Sequence, residues 1–219
     1  MRDSMLSTGI YSISQAAALL GIHQARLRVW VCGSAGARGR PLIRTELPRV
    51  GGRVALSFVN LIEAKFIELF SSKGVSVRSM RYMAEEAERF LQHPHPFATD
   101  WIFKTDGKKI FVEAAERTED PCLYDLKGHN FAMHGILAKE FMGDVQFSTS
   151  GVADAWFPRI DIAPNVRVTP KVAFGSPAIE KNGVPTEALF AALQAEGGDV
   201  ATVAAWFDVS ENDEIEAVR

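Results

Sequence analysis

Between His23 and Arg28 the chain reads HQARLR, which places His23, Gln24, Arg26 and Arg28 within two turns of whatever helix carries them. An arginine can present two parallel N–H groups to guanine, and a glutamine can pair twice with adenine. Each such pair gives roughly 1–3 kcal/mol of discrimination between bases. Arg38, Arg40, Arg44 and Arg53 follow. Their forked, permanently charged donors suit phosphate oxygens, which supply affinity and register but carry no sequence information. Residues 1–53 hold eight arginines against Asp3 and Glu46, a net +6, whereas residues 180–219 carry −7 and the stretch between them −2. The overall charge of −3 conceals this polarity. A basic head suits a polyanion and an acidic end is repelled by one, so the two ends are expected to have different partners.

Other residue types that do chemistry are present without the spacing that chemistry needs. His93 and His95 stand two apart in a proline-rich turn, with no acid or thiol at a fitted separation for a metal. His129 and His134 are five apart, a poor separation for one helix face. Cys32 and Cys122 are isolated thiols, giving neither a zinc pair nor a disulfide framework. No GxSxG, P-loop, GxGxxG or HExxH occurs, and the acids form no nuclease-like cluster. GSAGARGR, residues 33–40, lacks the strand before and the helix after that a phosphate loop requires; a basic loop on DNA phosphates and plain disorder both fit it. No enzyme, metal or cofactor is expected.

The elements that must position the basic residues begin with ISQAAALLGIHQARLRVW, residues 13–30. Ser14 is the expected cap of a first helix whose buried side is Ala16, Ala17, Leu19 and Leu20. Gly21 ends it in a left-handed conformation, and Ile22 plugs the corner. A second helix runs from about His23 to Val31 with Leu27 and Trp30 inward. Ala17, four residues before Gly21, leaves room for the helices to cross. This is the pattern of a helix-turn-helix, and the alternative is a helical hairpin in which Arg26 and Arg28 are merely solvated. Strand-like pieces at residues 42–45 and 53–56 predict a short hairpin, or wing, with an ordinary connector as the alternative. Ser57 caps a helix to about Ser72, and Ser76 caps another with Val77, Met80, Met83, Ala87 and Leu91 at helical spacing.

From Asp100 the pattern alternates. Residues 101–104 and 109–112 flank Asp106-Gly107, which predicts a hairpin. An amphipathic helix over about Asn130–Met142 and strands at 144–148 and 153–157 complete a small mixed α/β section. The last block predicts strands at Val166–Val168 and Ala178-Ile179, a helix from Pro185 to Ala195, a second capped by Asp199 and a third capped by Ser210 with Asp213. Val203, Ala204, Phe207 and Val209 repeat a helix-turn-helix corner. The acidic run Glu211, Asp213, Glu214 and Glu216 reads as a solvated face or as a surface for a basic partner.

The first ninety residues resemble the MerR-type winged helix-turn-helix family. The matching pieces are YSISQAAALLGIHQARLRVW, GGRVALSFVNLIEAKFIELFSSKG and VSVRSMRYM. The resemblance implies that the helix after the glycine turn is the recognition helix, with Arg28 and Trp30 at family positions. The connector Gly33–Pro41 is longer than the family's, and Ala25 stands where an arginine is frequent. Residues 166–219 resemble a small helix-turn-helix domain found as an antitoxin component beside PIN-domain toxins, through FGSPAI, KNGV and PTEALFAAL. Together the two resemble the larger VapB-type antitoxins.

The expected fold class is α+β, mostly α: a MerR-like winged helix-turn-helix over 1–95, a small α/β connecting unit over 96–163 and a homeodomain-like helical domain over 164–219. The resemblance implies an antitoxin that binds its own operator as a repressor and neutralises a PIN-domain ribonuclease. His23, Gln24, Arg26 and Arg28 are assigned to the groove, and Arg38, Arg40, Arg44 and Arg53 to phosphates. A palindromic operator requires a homodimer, through the 57–91 helical pair or the acidic C-terminal block. No membrane span or signal peptide is evident, so a cytoplasmic protein is expected. The chain ends inside the expected third helix, so either it is truncated or a partner completes it. The alternatives are a free-standing MerR-like regulator that senses a small molecule and a protein–protein adaptor.

Overall fold

The computed structural model describes residues 8–33, 39–103, 107–123 and 138–218. Arg38, Asp106 and residues 130–137 of the expected middle helix lie outside these. The architecture is mixed α/β and mostly helical. Compact packing divides the chain after Ala153: residues 11–153 form one unit, and residues from Asp154, with the chain up to Ile10, form the other. Residues 96–153 therefore pack with the helices before them, not as a connecting unit of their own. No helix among the described residues is long and apolar enough to cross a membrane.

In the first unit, β1 (Tyr11–Ser12) leads directly into α1 (Ile13–Leu20), and after a tight turn comes α2 (Gln24–Cys32). The cap of α1 is Ser12 and not Ser14. Its hydroxyl accepts the Gln15 N–H while the Gln15 side chain accepts the Ser12 N–H, a reciprocal capping box. Gly21 adopts φ 67°, and the Ile22 N–H donates to the Ala17 carbonyl at 3.0 Å. Ala16, Ala17, Leu27 and Trp30 are buried at the helix crossing as the spacing predicts, whereas Leu19 and Leu20 are only half-buried.

The hairpin expected between residues 42–45 and 53–56 is not formed. β2 (Ala55–Leu56) pairs antiparallel with β1, Tyr11 opposite Leu56. The 42–45 stretch is instead held by α2, because the Leu42 and Ile43 N–H groups both donate to the Trp30 carbonyl, at 2.7 and 3.0 Å. Residues 50–53 close a tight turn in which Val50 and Arg53 bond each other through the backbone. Gly33 is required where the connector returns: a Cβ there would overlap the Gly39 carbonyl oxygen.

Helix α3 (Phe58–Ser72), capped by Ser57, is buried around most of its circumference. Phe66 lies at the centre of an aromatic cluster, stacked on Phe70 at 4.4 Å and on Phe97 at 4.1 Å, with Phe141 edge-on at 5.6 Å. Phe70 stacks in turn on Phe111 at 5.5 Å. Helix α4 (Val77–Leu91) follows, then two short 3-10 turns at Pro96–Ala98 and Asp100–Phe103.

The Asp106-Gly107 hairpin is overturned. Residues 101–103 lie in a 3-10 turn, and Gly107–Thr118 is a helix, α5. Four alternating residues are too few to decide between periods. The next turn is decisive, because Ile110, Phe111, Ala114 and Ala115 are all buried and repeat at helical spacing. Residues 138–142 are helical, with Phe141 buried, and β3 (Val145–Phe147) and β4 (Ala153–Trp156) match the two short strands read from the sequence.

In the second unit, β5 (Val166–Arg167) pairs antiparallel with β6 (Ala178–Ile179). Helices α6 (Thr186–Ala195), α7 (Val200–Phe207) and α8 (Glu211–Ala217) close over Ile179, Leu189 and Val203. The corner between α7 and α8 reproduces that between α1 and α2. Asp208 takes φ 53° four residues after Ala204, and the Val209 N–H donates to the Ala204 carbonyl at 3.0 Å. The acidic run is not a solvated face: Asp213, Glu214 and Glu216 are buried. Asn165 accounts for two of them, donating from its backbone N to Glu216 at 2.9 Å and from its amide to Asp213 at 2.9 Å.

Asp120 ties α4 to the loop after α5. Its carboxylate accepts the Ser76 N–H at 3.0 Å, the Ser79 hydroxyl at 2.6 Å and the Cys122 N–H at 3.1 Å. Burial opposes its charge, but these hydrogen bonds outweigh that and hold its pKa below the ordinary aspartate value. The stabilisation is present above the unfolded-state value near ~3.9 and is lost as pH falls through the folded one. Asp120→Ala is expected to cost about 1–3 kcal/mol in urea unfolding at pH 7, through donors left unsatisfied. The deficit relative to wild type should shrink as pH falls below about 4.

Candidate nucleic-acid interface

The exposed residues of α2 face outward because Leu27, Trp30 and Val31 take the inward positions. Gln24 and Arg28, one turn apart, lie on one wall of a cleft of about 400 Å³. The opposite wall is the 49–54 turn, which brings Arg49 and Arg53, while Ser12 and Ser14 at the start of α1 contribute hydroxyls. No Asp or Glu is among the described residues that line it. Arg49 is fixed by donating to the Gly52 carbonyl at 3.2 Å. The side chains of Gln24, Arg28 and Arg53 make no hydrogen bond or ion pair among the described residues, so their donors remain available to a ligand. Three guanidinium groups around one cleft, with no acid among its described lining residues, give it a positive field.

The residues assigned from sequence separate into three groups. Gln24, Arg28 and Arg53 share this cleft. Arg40 and Arg44 line a different one, of about 610 Å³, with Arg81, Glu85 and Glu88 of α4. There Arg81 donates to the Arg40 carbonyl at 2.8 Å, and Arg44 approaches Glu88 at 3.5 Å. His23 and Arg26 have structural partners. The His23 ring Nδ1 accepts the Ala25 N–H at 3.2 Å, so this residue is the cap of α2 rather than its first turn. Arg26 donates to Glu68 at 3.0 Å and to the Ser71 hydroxyl at 2.7 Å, both on α3, and its guanidinium lies 5.2 Å from the Trp30 ring centre. Arg38 lies outside the described residues.

Two features escaped the sequence. Arg49 counts in the basic head, but only the tight turn at Gly51-Gly52 brings it beside Arg53; the VGG between the two arginines was the available signal. The second is a buried polar cluster. Glu63 is 5% exposed on α3, and its carboxylate accepts from His95 Nδ1 at 3.0 Å and from the Asn60 amide at 3.3 Å. The other His95 nitrogen faces Glu46 at 3.4 Å. Glu63 stands three, four and seven residues before Phe66, Ile67 and Phe70, all buried, and that spacing was the legible sign.

Arg26 connects α2 to α3 instead of reaching outward. Glu68→Ala and Arg26→Ala should each destabilise the fold by about 0.2–1 kcal/mol, given a pair left partly exposed to solvent. A double-mutant cycle in urea should show that the two losses do not add. Full additivity would mean that the Arg26–Glu68 contact contributes nothing to stability.

No protein-family model matches the sequence, and no curated protein matches it. Among solved structures, the crystal structure of Rv2018 from Mycobacterium tuberculosis is similar, with a TM-score of 0.75 at 22% identity. The match covers 95% of this chain and 97% of that one, so the two share a fold over nearly their whole lengths.

Proposed function

We propose that this chain is a DNA-binding antitoxin of the VapB kind, repressing its own operon through the first unit and holding a PIN-domain ribonuclease toxin through another surface. The observation that carries the DNA half is the acid-free cleft in which Gln24 and Arg28 of α2 face Arg49 and Arg53. In this reading α2 is the recognition helix of a MerR-like winged helix-turn-helix. Gln24 and Arg28 read base edges in the major groove, and Arg49 and Arg53 grip the flanking phosphates. His23 and Arg26 set the position of that helix.

The second unit repeats the helix-turn-helix corner, but the helix after it is acidic and has three of its carboxylates buried. Such a helix repels a phosphate backbone, which favours a protein partner at that end. The identity of that partner as a PIN-domain toxin rests on the resemblance of residues 166–219 to an antitoxin domain. An operator with two half-sites would be met by a homodimer.

A gel-shift titration on the DNA upstream of the chain's own gene, at stated salt, tests the DNA half. Arg28→Ala should cost about 1–3 kcal/mol on the specific site and little on scrambled duplex. Arg49→Ala and Arg53→Ala should weaken both duplexes alike, each lowering the slope of log affinity against log salt by about 1. Equal binding by wild type and all three variants would reject it. Copurification with the nuclease encoded beside it tests the antitoxin half; failure to associate at micromolar concentration would reject that half alone.

A further inference from the structure

The cluster of Glu46, Glu63 and His95 joins three separate segments: the connector after α2, the buried face of α3 and the turn after α4. His95 is 8% exposed and bridges two carboxylates, with Nδ1 at 3.0 Å from Glu63 and Nε2 at 3.4 Å from Glu46. A histidine can donate from both ring nitrogens only as the imidazolium. Once neutral it keeps one N–H, and the other nitrogen presents a lone pair.

We propose that His95 is a proton-operated latch on the segment that carries Arg49 and Arg53. Protonated, it holds Glu46 and Glu63 together. Deprotonated, it keeps the bond to Glu63, because Glu63 lies inside the core where an unpartnered carboxylate is costly. Its Nε2 lone pair then faces the Glu46 carboxylate, and Glu46, the longer and more exposed of the two contacts, lets go. Glu46 stands three residues before Arg49, with Pro48 between them, so its release loosens the turn that forms one wall of the arginine cleft.

The groups facing His95 agree with this assignment. Asn60 and Glu63 come from α3, Glu46 and Arg44 from the connector, and the His93 ring lies 6.4 Å away in the same turn. Burial disfavours the imidazolium, but the hydrogen bond and charge of Glu63, with the charge of Glu46, outweigh burial and the opposing Arg44. His95 is thus held above the ordinary histidine range. Burial also raises Glu63, which the His95 and Asn60 contacts only partly offset. The His95 shift sets the direction: the latch is closed while His95 is protonated, below about pH 6.5, and opens as pH rises through its folded-state value.

Amide hydrogen exchange of the full chain between pH 5.5 and 8.5, corrected for intrinsic exchange, reads the latch without any DNA. Protection of residues 46–53 in wild type should fall with rising pH, by at most about tenfold per pH unit for one linked proton. Residues 61–70 of α3 should keep theirs. In Glu46→Gln, which leaves the buried His95–Glu63 pair intact, and in His95→Gln, protection of 46–53 should not vary with pH. A flat wild-type profile, an equal loss in α3, or an unchanged fall in Glu46→Gln would overturn the proposal. The companion expectation, that polyanion affinity falls over the same pH range, rests on the proposed function; the exchange result does not.

Discussion

Helix α3 is buried on most of its sides, and that single constraint organises the first unit. A helix placed in this way cannot leave polar side chains to water, so each must find a protein partner. Asn60 donates to the Arg44 carbonyl, Glu63 takes His95, and Glu68 with Ser71 takes Arg26. Two of these contacts reach the basic head, at Arg44 and Arg26, and the third reaches the turn after α4. The aromatic stack around Phe66 fixes α3, and the polar contacts transmit that fixity to α2 and to the connector.

This gives the basic residues a division of labour that residue type alone does not reveal. Arg26 and Arg28 are two apart on one helix and look equivalent. One turns back to Glu68 and the Trp30 ring, while the other lies in a cleft with no side-chain partner among the described residues. The difference arises from the 3.6-residue period, which swings positions two apart onto different sides of a helix. Arg40 and Arg44 are likewise diverted by α4 into a second cleft that contains two glutamates.

The helices were legible wherever apolar spacing ran for more than two turns and a serine or aspartate preceded it. Ser57, Ser76, Asp199 and Ser210 all cap as read. The Ala17–Gly21 corner and its counterpart at Ala204–Asp208 were also visible, because the small residue and the left-handed turn leave a local signature. Local signals failed where a distant element decided the outcome. Residues 42–45 look like a strand but spend two N–H groups on the Trp30 carbonyl. The Asp106-Gly107 signal lost to the buried stripe of Ile110, Phe111, Ala114 and Ala115. Nothing local shows that Asp213 and Glu216 of α8 are buried, because their partner, Asn165, lies about fifty residues earlier.

Under the proposed function, nucleic acid is held by α2 and the 49–54 turn and not by the second unit. Hydrogen-exchange mapping of the full chain with and without duplex DNA from upstream of its own gene tests this most directly. The account predicts added protection over residues 24–32 and 49–54 and none over residues 166–218. Protection confined to the second unit, or no change anywhere at concentrations that saturate binding, would contradict it.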